Sequence, residues 1–231
     1  MLKRNFLLAL TSACALRAVA QPINISNLSN SGNSPNLGNL APNALKPYLE
    51  VTPYKADENV VRIFFSPNCI YSRKYLSFFK NLGSTLSAKT SKETLFTPTT
   101  NVVDGLNYAT AFAAVGRFHP HYVQNFIDAS MIAAQDKRVN VFSWGGIDIV
   151  GSAVGFGRSK QLPESLPLLV SKNRDILIRD VKQYQAAQRA LRIIGTPSVA
   201  ITGTYIISPE FTLGDADRFS ELINAVVSMT L

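Results

Sequence analysis

Cys69 is the residue whose type and setting could do chemistry. It stands in Phe64-Phe65-Ser66-Pro67-Asn68-Cys69-Ile70-Tyr71-Ser72, where an apolar run ends in a turn and a helical pattern begins. A sulfur at the start of a helix meets free backbone N–H groups and the positive end of the helix dipole, and both favour a thiolate. Arg73 and Lys74 add positive charge one turn on. A thiolate attacks a disulfide sulfur and forms a mixed disulfide. Three residues on, where a second thiol could resolve that adduct from within, the chain carries Ser72. A serine hydroxyl can hydrogen-bond a thiolate but cannot resolve a disulfide.

The rest of the composition sharpens the meaning of this thiol. The chain of 231 residues has two cysteines, and Cys14 lies in a segment that reads as a secretory signal. Residues 1–20 have a basic start at Lys3 and Arg4, an uncharged apolar run over 5–16, and a small-x-small pattern at Ala18-Val19-Ala20. The run is too short to span a bilayer. An uncleaved anchor is the alternative, and Arg17 argues against it by interrupting the run. A lipoprotein signal around Cys14 would need an aliphatic residue where Thr11 stands. Cleavage removes three basic residues and no acids, so the formal charge of +8 falls to +5. Mild, dispersed basicity does not argue for nucleic acid. Export implies an oxidising compartment, periplasmic or extracellular. A lone mature cysteine there is either buried and inert or kept for chemistry.

The elements that must position Cys69 follow from the pattern. Residues 21–47 are rich in Asn, Ser, Gly and Pro, with Asn at every third position from 24 to 39. So few large apolar residues predict a flexible tether, although the triplet period also fits a short repeat docked on a partner. Asn24 and Asn27 match the N-glycosylation pattern, which matters in a eukaryotic secretory pathway alone. The folded domain, 48–231, opens with an edge-like strand over 49–54 and a buried strand over 59–66. A helix runs from Cys69 to about Leu82 and stops at Gly83. A strand follows over 95–103. Residues 104–194 are mostly helical, with helices over 107–117, 121–137 and 173–192 and a Gly-rich stretch of short helix and loop over 139–157. The 173–192 helix turns Leu177, Val181, Tyr184, Gln188 and Leu191 inward. Gly195-Thr196-Pro197 is a turn, 198–202 and 204–207 form a hairpin around Gly203, and an amphipathic helix over 215–229 closes the chain. The predicted class is α/β: a mixed sheet flanked by helices, with a helical insertion.

Two motifs, with this element order, resemble the DsbA/DsbC group of exported thioredoxin-fold proteins. Phe64 to Ser72 is similar to that family's Phe-rich strand and Cys-x-x-Cys, in a Cys-x-x-Ser variant. Gly195-Thr196-Pro197-Ser198-Val199-Ala200, then Gly203-Thr204-Tyr205, is similar to its cis-proline loop and hairpin. The resemblance covers about 59–231 and implies a thioredoxin-like fold with an inserted helical domain over about 104–194. It implies that Cys69 and Ser72 form the catalytic pair. Thr196 and Pro197, with Asn68, Ile70 and Tyr71, would contact substrate. Thr196 before the proline looks more like the family's isomerases and reductases than its strong oxidases. Partners would be cysteine-containing envelope or secreted proteins and an external thiol or redox partner. No cofactor, metal, nucleic acid or membrane span after cleavage is implied. A thiol-exchange enzyme and a non-catalytic adaptor or assembly factor of the cell envelope both remain open, because a free cysteine is often a buried hydrophobe.

Other motifs read as structure. His119-Pro120-His121 lacks a neighbouring carboxylate or cysteine and is a helix-start turn rather than a metal set. Residues 155–160, Gly-Phe-Gly-Arg-Ser-Lys, lack phosphate-loop spacing. Arg179, Lys182 and Arg189 mark a solvated helix face. Trp144 is expected in the core or as a cap on the helical block.

Overall fold

The apolar run ahead of Cys69 is strand β2 (Val60–Phe65) in the computed structural model, which describes residues 46–89, 92–101 and 105–230. The leader, Cys14, the acceptor sites at Asn24 and Asn27 and nearly all of the Asn-rich segment lie outside the described residues. β2 is buried on both faces. Val61 and Ile63 pack with Tyr75, Phe79, Phe219 and Ile223, and Phe64 packs on the other side with Leu191, Ile193 and Ala200. A strand covered on both faces needs no apolar–polar alternation. Its exception is Arg62, whose guanidinium donates to both carboxylate oxygens of the fully buried Asp57 at 2.6 Å and to Thr97 Oγ1 at 2.9 Å. Buried charge persists where it is paired in this way.

β2 pairs in parallel with β3 (Glu93–Pro98) and antiparallel with β4 (Ser198–Ile201). β4 turns back into β5 (Tyr205–Ile207), which pairs with the two-residue β1 (Leu49–Glu50). The sheet order is β1-β5-β4-β2-β3. The parallel step needs a crossover, and α1 (Ile70–Lys74) with α2 (Leu76–Lys89) supplies it. The 49–54 strand is shorter than expected, but Val51 N and Tyr54 N still donate to Thr204 O and Gly203 O. Gly203 has φ +65°, and a Cβ there would stand 2.4 Å from Tyr54 O, so this hairpin requires glycine.

The insertion consists of α3 (Gly105–Phe118), α4 (Val123–Gln135), α5 (Trp144–Val154), α6 (Leu166–Lys172) and α7 (Arg174–Ala190). Its core gathers Tyr108, Phe112, Phe126, Ile127, Met131, Ile147, Leu166 and Leu177. Phe65 belongs to that core too, edge-on to Phe112 at 5.6 Å. The strand that delivers Cys69 therefore ends inside the helical block, and burying one such ring stabilises by about 2–3 kcal/mol. α8 (Ala216–Met229) covers the sheet face opposite α7, capped by Asp215 Oδ1, which accepts from the N–H groups of Asp217 and Arg218.

Several expectations need correction. The first helix breaks at Tyr75, and Gly83 lies inside α2 instead of ending it. A Cβ at Gly83 would meet Thr94 of β3 at 3.5 Å, an ordinary contact, so neither space nor backbone conformation demands glycine there. The second parallel strand begins two residues early and ends at Pro98, with 99–101 outside it, and 102–104 lie outside the described residues. The Gly-rich stretch contains a regular eleven-residue helix, because Ser143 Oγ caps Gly146 N and Gly155, at φ +114°, ends it. Trp144 is the first residue of that helix and is 41% exposed, so it is not core.

Candidate active site

Cys69 is the N-cap of α1, one residue ahead of the helix proper, with φ −82° and ψ 116°. Its Sγ lies where an N-cap oxygen would lie and accepts from Ser72 N at 3.4 Å. The half-buried thiol donates to the carbonyl of Thr196 at 3.0 Å, across 127 positions of sequence. The peptide bond that follows, Thr196–Pro197, is cis. Ser198 Oγ donates to Gly195 O at 2.8 Å and braces this loop from the β4 side.

Ser72 is close to the sulfur through its backbone alone. Its side chain is 1% exposed, and its hydroxyl oxygen accepts from Ser66 N at 3.3 Å. Among the described contacts the hydrogen bond between Ser72 and the sulfur runs from the Ser72 amide, and the hydroxyl oxygen serves the buried Ser66 N–H. Ser72 thus holds the turn closed and offers Sγ an amide.

Beside the Thr196–Pro197 loop lies a groove of about 490 Å³. Tyr71, Thr196 and Pro197 line it, with Ile193, Ile194, Ile206, Phe211 and Leu213. Ile194 and Leu213 are 94% and 95% exposed, and Ile70 and Tyr71 are exposed on the neighbouring turn. A contiguous apolar rim of this kind marks a surface that binds something. Of the residues singled out from sequence, Cys69, Ser72 and Thr196 are joined by hydrogen bonds, and Pro197 and Tyr71 stand in the groove wall. Asn68 and Ile70 are exposed on the turn, and neither lines the groove.

The opposite support of the Cys69 turn was not legible as a site. Gln135, the last residue of α4, donates from Nε2 to the carbonyls of Pro67 at 2.8 Å and Cys69 at 3.2 Å. Asp136, next in sequence, accepts from both Arg73 terminal nitrogens at 2.6 and 2.8 Å. The hydrogen bond from Arg73 holds the Asp136 carboxyl below the usual carboxylate range. The available sequence signal was polarity at the end of an apolar helix, which also describes an ordinary solvated terminus. Lys74 Nζ donates to Gly214 O at 3.3 Å, and Tyr75 OH donates to the same carbonyl at 3.1 Å.

The remaining motifs lie elsewhere. His119 stacks edge-on against Phe156 at 5.3 Å. Among the described residues no three His, Cys, Asp or Glu side chains gather as a metal set, and no helix is long and apolar enough to cross a membrane. Arg179, Lys182 and Arg189 are exposed.

No family model and no curated protein matches the sequence. Solved structures do match the fold. DsbA from Klebsiella pneumoniae superposes with a TM-score of 0.63 at 15% identity, covering 81% of this chain and 96% of that one. DsbA from Proteus mirabilis, as a cysteine-to-serine variant with a non-covalently bound peptide, gives 0.62 at 16%, covering 80% and 95%. DsbL from Salmonella enterica serovar Typhimurium gives 0.61 at 16%, covering 79% and 95%. The chain has a DsbA-like thioredoxin fold, with helices α3 to α7 between β3 and β4.

Proposed function

We propose that this DsbA-like chain is an exported monothiol exchange protein of the reductase or isomerase kind, acting through Cys69 on disulfides of envelope or secreted proteins. One observation carries the reading: an N-cap thiol stands 3.0 Å from the carbonyl that precedes a cis proline, and the residue three positions on is a buried serine. The leader-like 1–20 segment supports periplasmic or extracellular delivery, and residues 21–47 would serve as a tether ahead of the domain.

The steps balance with sulfur alone. Cys69 loses its proton to water, and its thiolate attacks one sulfur of a substrate disulfide. The Cys69–substrate bond forms as the substrate S–S bond breaks, and the departing substrate thiolate takes up a proton. In isomerisation a second substrate thiol attacks the substrate sulfur of the adduct and returns Cys69 with no net redox change. In reduction two external thiols complete the cycle: one displaces the substrate as a thiol and caps Cys69, and the other frees Cys69 by forming the external disulfide. Thr196 contributes position. Its carbonyl, held in the free protein by the Cys69 thiol, can accept a substrate backbone N–H instead, and the groove beyond Pro197 can take apolar side chains. The peptide complex of the Proteus DsbA supports use of this face for extended chains.

The test mixes the full chain with a disulfide-bonded protein and seeks a Cys69 adduct by mass under non-reducing conditions. The adduct is expected to persist until a small thiol is added. Failure of Cys69 to react with iodoacetamide in the native chain would sink the reading. The exposed Ile194–Leu213 rim also suits the second reading, a non-catalytic adaptor that uses the groove alone. Full function of a Cys69→Ser chain would decide for the adaptor.

A further inference from the structure

The Cys69 turn is held by the inserted helical block as well as by the thioredoxin core. Gln135 ties the carbonyls of Pro67 and Cys69 with one amide nitrogen. Those oxygens are the negative ends of peptide dipoles in the turn that carries the sulfur, and a donor on each offsets them. The Cys69 carbonyl also accepts the first helical bond, from Arg73 N at 3.2 Å, so the Gln135 contact braces the N-cap geometry that aims Sγ at Ser72 N. Asp136 has the reverse electrostatic effect. Arg73 is the cation one turn beyond Cys69, and its terminal nitrogens are both committed to the Asp136 carboxylate. Lys74, the neighbouring cation, is turned to the Gly214 carbonyl.

We propose that the end of α4 sets the reactivity of Cys69 through two adjacent side chains of opposite effect: Gln135, a positioning residue, favours charge on the sulfur, and Asp136 opposes it by neutralising Arg73. This rests on the exchange reading and names how that site is regulated. The helical insertion then acts on the chemistry through its far end, while the groove residues deal with substrate. Neither Gln135 nor Asp136 lines the groove.

Iodoacetamide, a small neutral reagent, tests it on the full chain at fixed neutral pH, with the sulfur's thiolate absorbance followed in parallel. Gln135→Leu should slow alkylation about fivefold through loss of two hydrogen bonds, and the near-isosteric Gln135→Glu should slow it further by facing a carboxylate to two carbonyls. Asp136→Asn should speed alkylation about threefold, the scale of one unit charge acting through a largely aqueous dielectric. Adding Arg73→Gln to Asp136→Asn should remove the gain. Thiolate absorbance should move in the same directions, which a merely structural role would not produce. Faster alkylation in both single variants would mean that the turn had loosened, and the inference would be overturned. So would unchanged rates with lowered Tm, or a gain that survives loss of Arg73. A wild-type chain that does not alkylate defeats the exchange reading itself, a result separable from these.

Discussion

Cys69 has two unlike sides. Toward the Thr196–Pro197 loop the surface is open and largely apolar, with Arg192 and Glu210 as the charged residues of the groove wall and Ile194 and Leu213 exposed almost as fully as in an extended peptide. Toward α4 it is closed by directed polar contacts: Gln135 on two carbonyls and Asp136 on a guanidinium, all at 2.6–3.2 Å. Exposed apolar area is gained back by burial against a partner, about 25 cal/mol for each Å² removed from water. Directed hydrogen bonds instead hold a geometry, at a net value of about 1 kcal/mol each. One side is therefore suited to capture, the other to alignment, and the sulfur lies at their junction.

The comparison can be broken most completely at the junction itself. In the chain from residue 21 on, which lacks Cys14, Cys69→Ser should abolish every covalent adduct while leaving circular dichroism and Tm near those of the parent chain. An adduct on that variant would place the chemistry elsewhere. Ser72→Cys comes next. It puts a thiol where Ser66 N now meets a hydroxyl, and the adduct lifetime should fall by orders of magnitude as the new thiol resolves it; an unchanged lifetime in non-reducing mass spectra would show that this position cannot reach the sulfur. On the open side, Ile194→Asp or Leu213→Asp should slow adduct formation with an apolar disulfide peptide about tenfold, the scale of one large side chain's burial. The rate with iodoacetamide, which has no use for the groove, should stay as it was, and a parallel fall in both rates would merge the two sides into one.

Smaller effects belong to the closed side. Arg73→Ala should leave the urea unfolding midpoint close to that of the parent chain, because both ends of its ion pair are substantially exposed and screened. The pair should show itself in titration. The Asp136 carboxyl lies below its usual value of 3.8, chiefly through the Arg73 hydrogen bond. A carboxyl lowered by folding contributes stability that is complete above the unfolded value and is lost as pH falls through the folded one. Carbon-detected NMR should find the Asp136 midpoint low in the native chain and raised toward the ordinary carboxylate value in Arg73→Gln. Equal midpoints would dissolve the pair in solution.

Much of this was legible before any coordinates. β2, the hairpin at Gly203 and α8 were readable because a buried strand is apolar throughout, glycine marks a left-handed turn, and a surface helix repeats every 3.6 residues. Gln188, the polar residue in the inner stripe of α7, was visible as an exception without a cause. It is buried and accepts from both the backbone and the hydroxyl of Thr100. Gly83 misled, because a glycine in a helical pattern can end a helix or lie within it, and the run of α2 on to Lys89 decides between them. Trp144 was expected in the core or as a cap, and its exposed place at the first position of α5 removes the core from that pair.

The thiol, the serine three residues beyond it, the turn before them and the proline loop are local facts, written in consecutive residues because caps, turns and periodicity act over a few peptide units. The contacts that give the thiol its setting are long-range. Thr196 comes to Cys69 from 127 positions away, Gln135 from 66, and Asp136 to Arg73 from 63. No local rule encodes those approaches. They arise when the sheet and the helical block bury their shared apolar surface, and that burial decides which polar groups end up beside the sulfur.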